Sequence, residues 1–348
     1  MTDTHAAHEV PEAFELEITT PVVLCRPDGR LDPLAAGWSR TPLHRTNLPG
    51  GIGRAGAWGR NKRWEYWGII TPTHVVGLTV SSLDYAGVHQ LWVLDRETGE
   101  VVDQSVIAPF AAGTMLPHSL HTGTVTARRR GFAVEITPGP ASVRIQAATD
   151  RVRLDLTVEM PVGHESMCVV VPWSARRFQY TVKDPALRVS GRLRMDGIVV
   201  DVPADDSWAV LDHGRGRWPY SMVWNWGAGS GVVGGRTVGL TIGGQWTVGT
   251  GATENALVVD GRVHKLHDEL TWTYDREDWM APWRVTGPRV DLTFTPFHER
   301  VAVTNLVVLA GETHQCFGHW SGHVVDDAGT PVSVDGLVGW AEEARNRW

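Results

Sequence analysis

The stretch L-D-H-G-R-G-R-W-P-Y-S-M-V-W-N-W, Leu211 to Trp226, sets one carboxylate, one imidazole, two guanidiniums, four aromatic rings and one amide into sixteen positions. Neither an ordinary core nor an ordinary surface needs that density of chemistry. Read as β-strand, with side chains alternating between faces, it puts Asp212 on one side and His213 and Arg215 on the other. Contact between Asp212 and His213 then requires a bulge, which Gly214 and Gly216 could supply by taking positive φ. Further along, Trp224 and Trp226 share a face and Asn225 takes the opposite one. Two indoles side by side form a flat apolar wall whose faces attract cations, each such contact contributing roughly 0.5 to 2 kcal/mol.

The same period of two runs through nearly the whole chain. Strands are expected at 14–25, 74–81, 88–95, 101–108, 122–128, 132–137, 142–147, 151–159, 167–171, 178–182 and 187–195, and again at 256–259, 262–274, 291–297, 300–310, 314–325 and 331–334. Asp260-Gly261 is a strong hairpin signal between two of them. Short alternating runs separated by Gly, Pro and Asp turns mean an antiparallel all-β protein, a sandwich or barrel. Helical spacing is confined to 338–347, where a short C-terminal helix is expected. At 348 residues the chain exceeds one typical core, so two halves are expected, 1–200 and 201–348, with the boundary near Asp196 to Trp208. Trp64-Glu65-Tyr66-Trp67, then Gly77-Leu78-Thr79-Val80, is echoed by Trp224-Asn225-Trp226, then Gly239-Leu240-Thr241-Ile242, which points to related halves.

A hydrophobic content of 42% with 20% charged residues describes a soluble globular protein. The formal charge of -7 argues against nucleic-acid and anionic-membrane partners, both of which require a basic face. The basic run Arg128 to Arg130 reads as a solvated hairpin tip. No window approaches the roughly 18 apolar residues of a transmembrane segment, and no basic-then-apolar leader opens the chain. Cys25, Cys168 and Cys316 lie far apart without C-x-x-C spacing, as buried thiols of a reducing compartment would, so a cytoplasmic location is expected. Tryptophan is in excess, 17 against 7 Phe and 5 Tyr. A core needs only bulk, whereas a polar-edged cavity also uses the indole N–H.

Several strings carry a family resemblance: G-W-S-R at Gly37 to Arg40, K-R-W-E-Y-W at Lys62 to Trp67, L-D-H-G-R-G-R-W-P-Y at Leu211 to Tyr220, T-E-N-A at Thr253 to Ala256, D-W-M-A-P-W at Asp278 to Trp283 and H-Q-C-F-G at His314 to Gly318. From about Cys25 to Trp348 the chain resembles the bacterial domain-of-unknown-function family 2804, which brings no activity with it. More distantly it resembles the calycin- or lipocalin-like double barrels of carotenoid 1,2-hydratases, tocopherol cyclases and certain fungal Diels-Alderases. That likeness implies two antiparallel β-barrel or sandwich halves packed together. It also implies either cofactor-free chemistry on apolar molecules or lipid binding, by analogy of fold.

The residues themselves single out Asp212 as a proton donor, with Glu254 a second carboxylate behind the Gly-rich run from Gly243 to Gly251, where a backbone can approach a ligand closely. His213 and Arg215 would orient the acid or bind a polar group; alternatively Asp212 pairs with Arg215 or Arg217 to pin a strand corner. Trp218, Tyr220, Trp224, Asn225, Trp226, Trp246 and Asn255 are candidate ligand-binding residues, with Arg284 and His314 further out. No metal is expected: His264 and His267 fall on opposite strand faces, and His319 and His323 share a face without a third ligand at a known spacing. Gly51-Ile52-Gly53-Arg54-Ala55-Gly56 matches a dinucleotide fingerprint but lacks the strand before and the helix after, and Gly229-Ser230-Gly231 is no nucleophile elbow. No cofactor is therefore expected. Three functions remain: a cofactor-independent enzyme hydrating, isomerising or cyclising a hydrophobic or amphipathic small molecule in a Trp-lined cavity, a lipid or isoprenoid carrier with the same cavity, and a glycoside-active enzyme using Asp212 and Glu254. The oligomeric state leaves no trace in the sequence.

Overall fold

A computed structural model describes residues 15–50, 58–306 and 309–347; the Gly51 to Gly56 motif lies outside them. The protein is all-β, built of two curled antiparallel sheets, one a near-barrel and the other a half-barrel. Strands Val101–Pro109, Ala86–Asp95, His74–Ser82, Lys62–Ile70, Trp208–Arg217, Arg177–Met195 and Val152–Glu159 lie side by side in the first sheet, which continues through Ser142–Thr149, Phe132–Pro138 and Val125–Arg129. The second sheet runs Arg262–Leu266, Asn255–Val259, Arg236–Gly244, Ser221–Val233, Leu337–Arg347, Leu309–Val325, Val290–Leu306, Trp283–Gly287 and Thr271–Thr273. The Trp208–Arg217 strand belongs to the first sheet and Ser221–Val233 to the second, so the chain crosses at Trp218-Pro219-Tyr220, downstream of the boundary expected near Asp196 to Trp208. Among the described residues no helix is long and apolar enough to cross a membrane.

Strand alternation sorts the apolar residues into three layers. Trp67, Leu78, Val93, Ile145, Val182 and Leu211 fill the first curl, and Ile242, Leu257, Leu292, Trp320 and Leu337 fill the second. The third layer lies between the sheets, where Tyr66, Trp92, Val210, Trp226, Phe317 and Trp340 pack together near a second group containing Met167, Trp218, Trp246 and Val258. Where the two sheets face each other, strands such as Trp208–Arg217 are covered on both sides and buried throughout, whereas Val152–Glu159 at the far side alternates buried and exposed.

Three expectations are corrected. Residues 338–347 form no helix: Leu337–Arg347 is a central strand, hydrogen-bonded to Ser221–Val233 on one side and Leu309–Val325 on the other. The separate strands at 178–182 and 187–195 are one bent strand, whose register shifts between Asp184 and Leu187 around Pro185, with Ala186 at φ 63°. A bulge is how a long strand tolerates proline. Gly214 and Gly216 make no bulge, since pairing is regular through them on the Lys62–Ile70 side and neither takes a positive φ. They are small because a Cβ on Gly214 would lie 2.2 Å from the Trp64 ring and one on Gly216 2.2 Å from the Gln179 amide oxygen.

Candidate active site

A cavity of about 280 Å³ opens between the two sheets, lined from both. The first sheet contributes Lys62, Trp64 and Tyr66 from one strand, Thr181 and Lys183 from the next but one, and Asp212 from the strand between. These are alternate residues on the face turned away from the first core, as the period of two requires. The second sheet brings Trp224 and Trp226, Gln315, Glu342 and Arg300, with Trp246 and Glu254 from the turn that precedes the Asn255–Val259 strand.

Three carboxylates stand around this cavity, and each accepts a hydrogen bond from an indole. Trp64 Nε1 donates to Asp212 Oδ2 at 3.0 Å, Trp246 Nε1 to Glu254 Oε1 at 2.6 Å and Trp224 Nε1 to Glu342 Oε1 at 3.0 Å. The excess of Trp over Phe thus has a chemical reason at three positions. Lys183 sits between two of the acids, its Nζ 3.0 Å from Asp212 Oδ2 and 3.2 Å from Glu254 Oε2, and 3.8 Å from the centroid of the Trp226 ring. Thr181 Oγ1 adds a hydrogen bond to Asp212 Oδ1 at 3.1 Å. Trp218 and Trp246 stack at 5.2 Å, and Trp64 and Trp224 each meet Trp218 edge-on at 5.7 Å, so the wall is continuous.

The acids differ in their surroundings. Among the described residues no cation stands within ion-pair distance of Glu342; its second oxygen accepts from Gln315 Nε2 at 2.9 Å. Burial pushes its carboxyl up to about 7, with the Asp212 charge adding to that effect, while the Trp224 N–H, Lys183 and Arg300 oppose it. Burial likewise raises Glu254, against the pull of Lys183. For Lys183 burial works toward the neutral amine, but Asp212 and Glu254 outweigh it and the ammonium is held above its usual range. Burial also pushes the Tyr66 phenol up to about 12. The result is one acid raised to about 7 beside an ammonium held charged by its neighbours, the separation that acid–base catalysis uses.

His213 and Arg215 stand on the opposite face of their strand, inside the first curl. His213 Nδ1 lies 3.4 Å from Glu65 Oε1, and burial, then the Arg215 charge, push its imidazole down to about 4 despite Glu65. Arg215 donates to the carbonyls of Trp64, Gly214 and Pro117 at 2.8, 2.8 and 3.0 Å and approaches Glu65 at 3.9 Å. Both are separated from the cavity by the sheet, so neither orients Asp212. Arg217 donates to Asn61 Oδ1 at 3.1 Å and Gly29 O at 2.9 Å, leaving Lys183 as the partner of Asp212.

The model of a domain of unknown function, DUF2804, matches residues 15–348. The chain belongs to the DUF2804 family. No protein of curated function matches its sequence. Two solved structures are similar to this DUF2804 chain in fold: an AttH-like protein of Nitrosomonas europaea, at 12% identity and TM-score 0.54 over 85% of this chain and 97% of that one, and kievitone hydratase of Nectria haematococca, at 12% and 0.53 over 88% and 95%.

Of the residues singled out in the sequence of this DUF2804 chain, Asp212, Glu254, Trp218, Trp224, Trp226 and Trp246 come together in the cavity. The others lie elsewhere. Tyr220 is exposed after the Pro219 corner. Asn225 faces the second curl, donating to Tyr274 Oη at 3.1 Å. Asn255 braces the turn behind Glu254, accepting from Gly243 N at 2.6 Å and donating to Asp268 O at 2.9 Å. Arg284 pairs with Asp291 at the surface, and His314 is stacked on Trp279 at 4.1 Å between Glu299 and Glu312. At the start of the Gly-rich run the backbone approaches a protein side chain rather than a ligand: a Cβ on Gly243 would lie 2.1 Å from Glu254 Oε1. Lys183, Glu342, Gln315, Arg300, Trp64 and Tyr66 were not singled out. Gln179, Thr181 and Lys183 make one face of their strand polar, which in isolation reads as a solvent face; only the second sheet buries it.

Proposed function

We propose that this protein is a cofactor-independent enzyme that hydrates, isomerises or cyclises a hydrophobic or amphipathic small molecule, with Glu342 as the proton donor. The observation that carries this reading is a buried carboxyl, held to near neutrality, in an indole-lined cavity that also contains the Lys183–Asp212–Glu254 cluster. For a hydration, Glu342 gives its proton to one carbon of a double bond and water adds to the other. Asp212 takes the proton shed by that water, and exchange with solvent returns a proton to Glu342 and removes the one on Asp212, so the groups are restored. Positive charge developing on the substrate faces the ring of Trp224, an interaction of roughly 0.5 to 2 kcal/mol, because Lys183 already covers the Trp226 ring. That a structure of this fold is named a hydratase, kievitone hydratase, supports the reading by analogy of fold alone. The glycoside alternative loses ground because the Lys183 ammonium fills the space between Asp212 and Glu254, where a bound water or glycosidic oxygen would have to stand.

The test is to incubate the protein with a lipophilic extract of its own host and follow every component by liquid chromatography and mass spectrometry. The expected result is one compound that gains or loses water, or isomerises at constant mass, with wild type and not with Glu342→Gln. If wild type changes nothing yet retains a compound through native mass spectrometry, the cavity is that of a carrier.

A further inference from the structure

Arg300 is, with Lys62, one of two cavity cations that the acid–base reading leaves unused. It projects from the Val290–Leu306 strand and is 8% exposed. Its Nη1 donates to Gln315 Oε1 at 2.9 Å and its Nη2 to Gln90 Oε1 at 2.6 Å, both neutral amide oxygens, and its buried Nε has no acceptor. Its guanidinium carbon lies 5.1 Å from the centroid of the Trp92 ring. Among the described residues no carboxylate stands within ion-pair distance of this guanidinium; Glu342 is reached only through the Gln315 amide, which donates to it at 2.9 Å. Lys183, in the same cavity, has two carboxylates. A buried guanidinium without a counter-ion has its lost hydration replaced only by neutral amide oxygens and one ring face, where a carboxylate would complete it. Space for it is also built in, since a Cβ on Gly77 would lie 2.8 Å from Arg300 Nη1.

We propose that Arg300 is an anion-binding residue of the cavity and that its ligand is an amphipathic acid, with an apolar body against the indoles and a carboxylate on the guanidinium. This rests on the reading of the cavity as the site of an apolar molecule. Because Gln315 stands between Arg300 and Glu342, the carboxylate and the reacting part of the ligand are separate, and the anion anchors the molecule while the acid works further along it.

The experiment is isothermal titration of the full chain with octanoate and with 1-octanol, which share an apolar body and differ in charge. Wild type is expected to bind octanoate about tenfold or more tightly than octanol, the scale of a charge-assisted hydrogen-bonded pair. Arg300→Gln brings octanoate down to the octanol level and leaves octanol unchanged, Arg300→Lys keeps part of the preference, and Arg236→Gln, removing a surface cation outside the cavity, keeps all of it. Equal affinities in wild type, or a preference that survives in Arg300→Gln or disappears in Arg236→Gln, overturn the anion site while the cavity stands. If neither compound binds, the cavity reading falls as well. Should Arg300→Gln fail to fold, the wild-type ratio and its reduction in Arg300→Lys decide the matter.

Discussion

Glu342→Gln separates the buried acid from everything else that titrates. In the unfolded chain the carboxyl ionises at an ordinary 4.5, and in the fold at about 7. Below the lower value both states hold the proton. As pH rises through it the unfolded chain ionises while the folded one does not, so the fold loses stability, and the loss is complete only above the higher value. At roughly 1.4 kcal/mol for each pH unit between them, the fold gives up about 3 kcal/mol across that window. The amide of the variant is neutral throughout and carries none of it. Urea unfolding of both proteins from about pH 4.5 to about pH 8 measures this directly, because groups remote from position 342 cancel in the difference. The variant should gain about 3 kcal/mol on wild type from the acid to the alkaline end. A difference constant to within about 0.5 kcal/mol would refute the reasoning, since Glu342 would then ionise as it does in water.

Other substitutions test neighbouring parts. Lys183→Met leaves Asp212 and Glu254 facing each other without the ammonium and should cost about 3 to 5 kcal/mol near neutrality, with Glu254→Gln added to it recovering part, both read by urea unfolding. His213→Gln should remove an acid sensitivity. The wild-type imidazole stays neutral in the fold down to about 4, against 6.5 unfolded, so stability worth about 3 kcal/mol is lost as pH falls through that window and the variant should keep it. Gly243→Ala drives a methyl into Glu254 Oε1 and should cost about 1 to 3 kcal/mol in a thermal or urea melt. Trp224→Phe withdraws the N–H that holds Glu342 down, so the midpoint of the Glu342 carboxyl should rise above about 7, as followed by infrared spectroscopy.

Much of this architecture was legible because strand alternation is a local property. Asp212 facing away from His213 and Arg215, and Trp224 sharing a face with Trp226, follow from the period of two alone, as does the all-β class. What failed to show in the sequence depends on the second sheet. Leu337–Arg347 contains A-E-E-A-R, residues with good helix propensity at helical spacing, yet two flanking strands complete its hydrogen bonds and tertiary pairing overrides propensity. Glu342 was hidden by that same misreading. Lys183 and Arg300 sit in strands far from Leu211 to Trp226 in the chain, and a lone charged residue on a polar strand face carries no mark of burial. Pro185 made one long strand read as a pair, because a bulge cannot be told from a turn by composition.

The central claim is that a carboxylic acid at position 342 remains protonated near neutral pH inside a cavity that takes a ligand. Isotope-edited infrared difference spectroscopy, comparing wild type with Glu342→Gln, observes that proton directly. A protonated carboxyl band is expected at about pH 6, disappearing with a midpoint near 7 and shifting when 1-octanol enters the cavity. A spectrum without that band at about pH 6, or a band indifferent to the ligand, would contradict the claim.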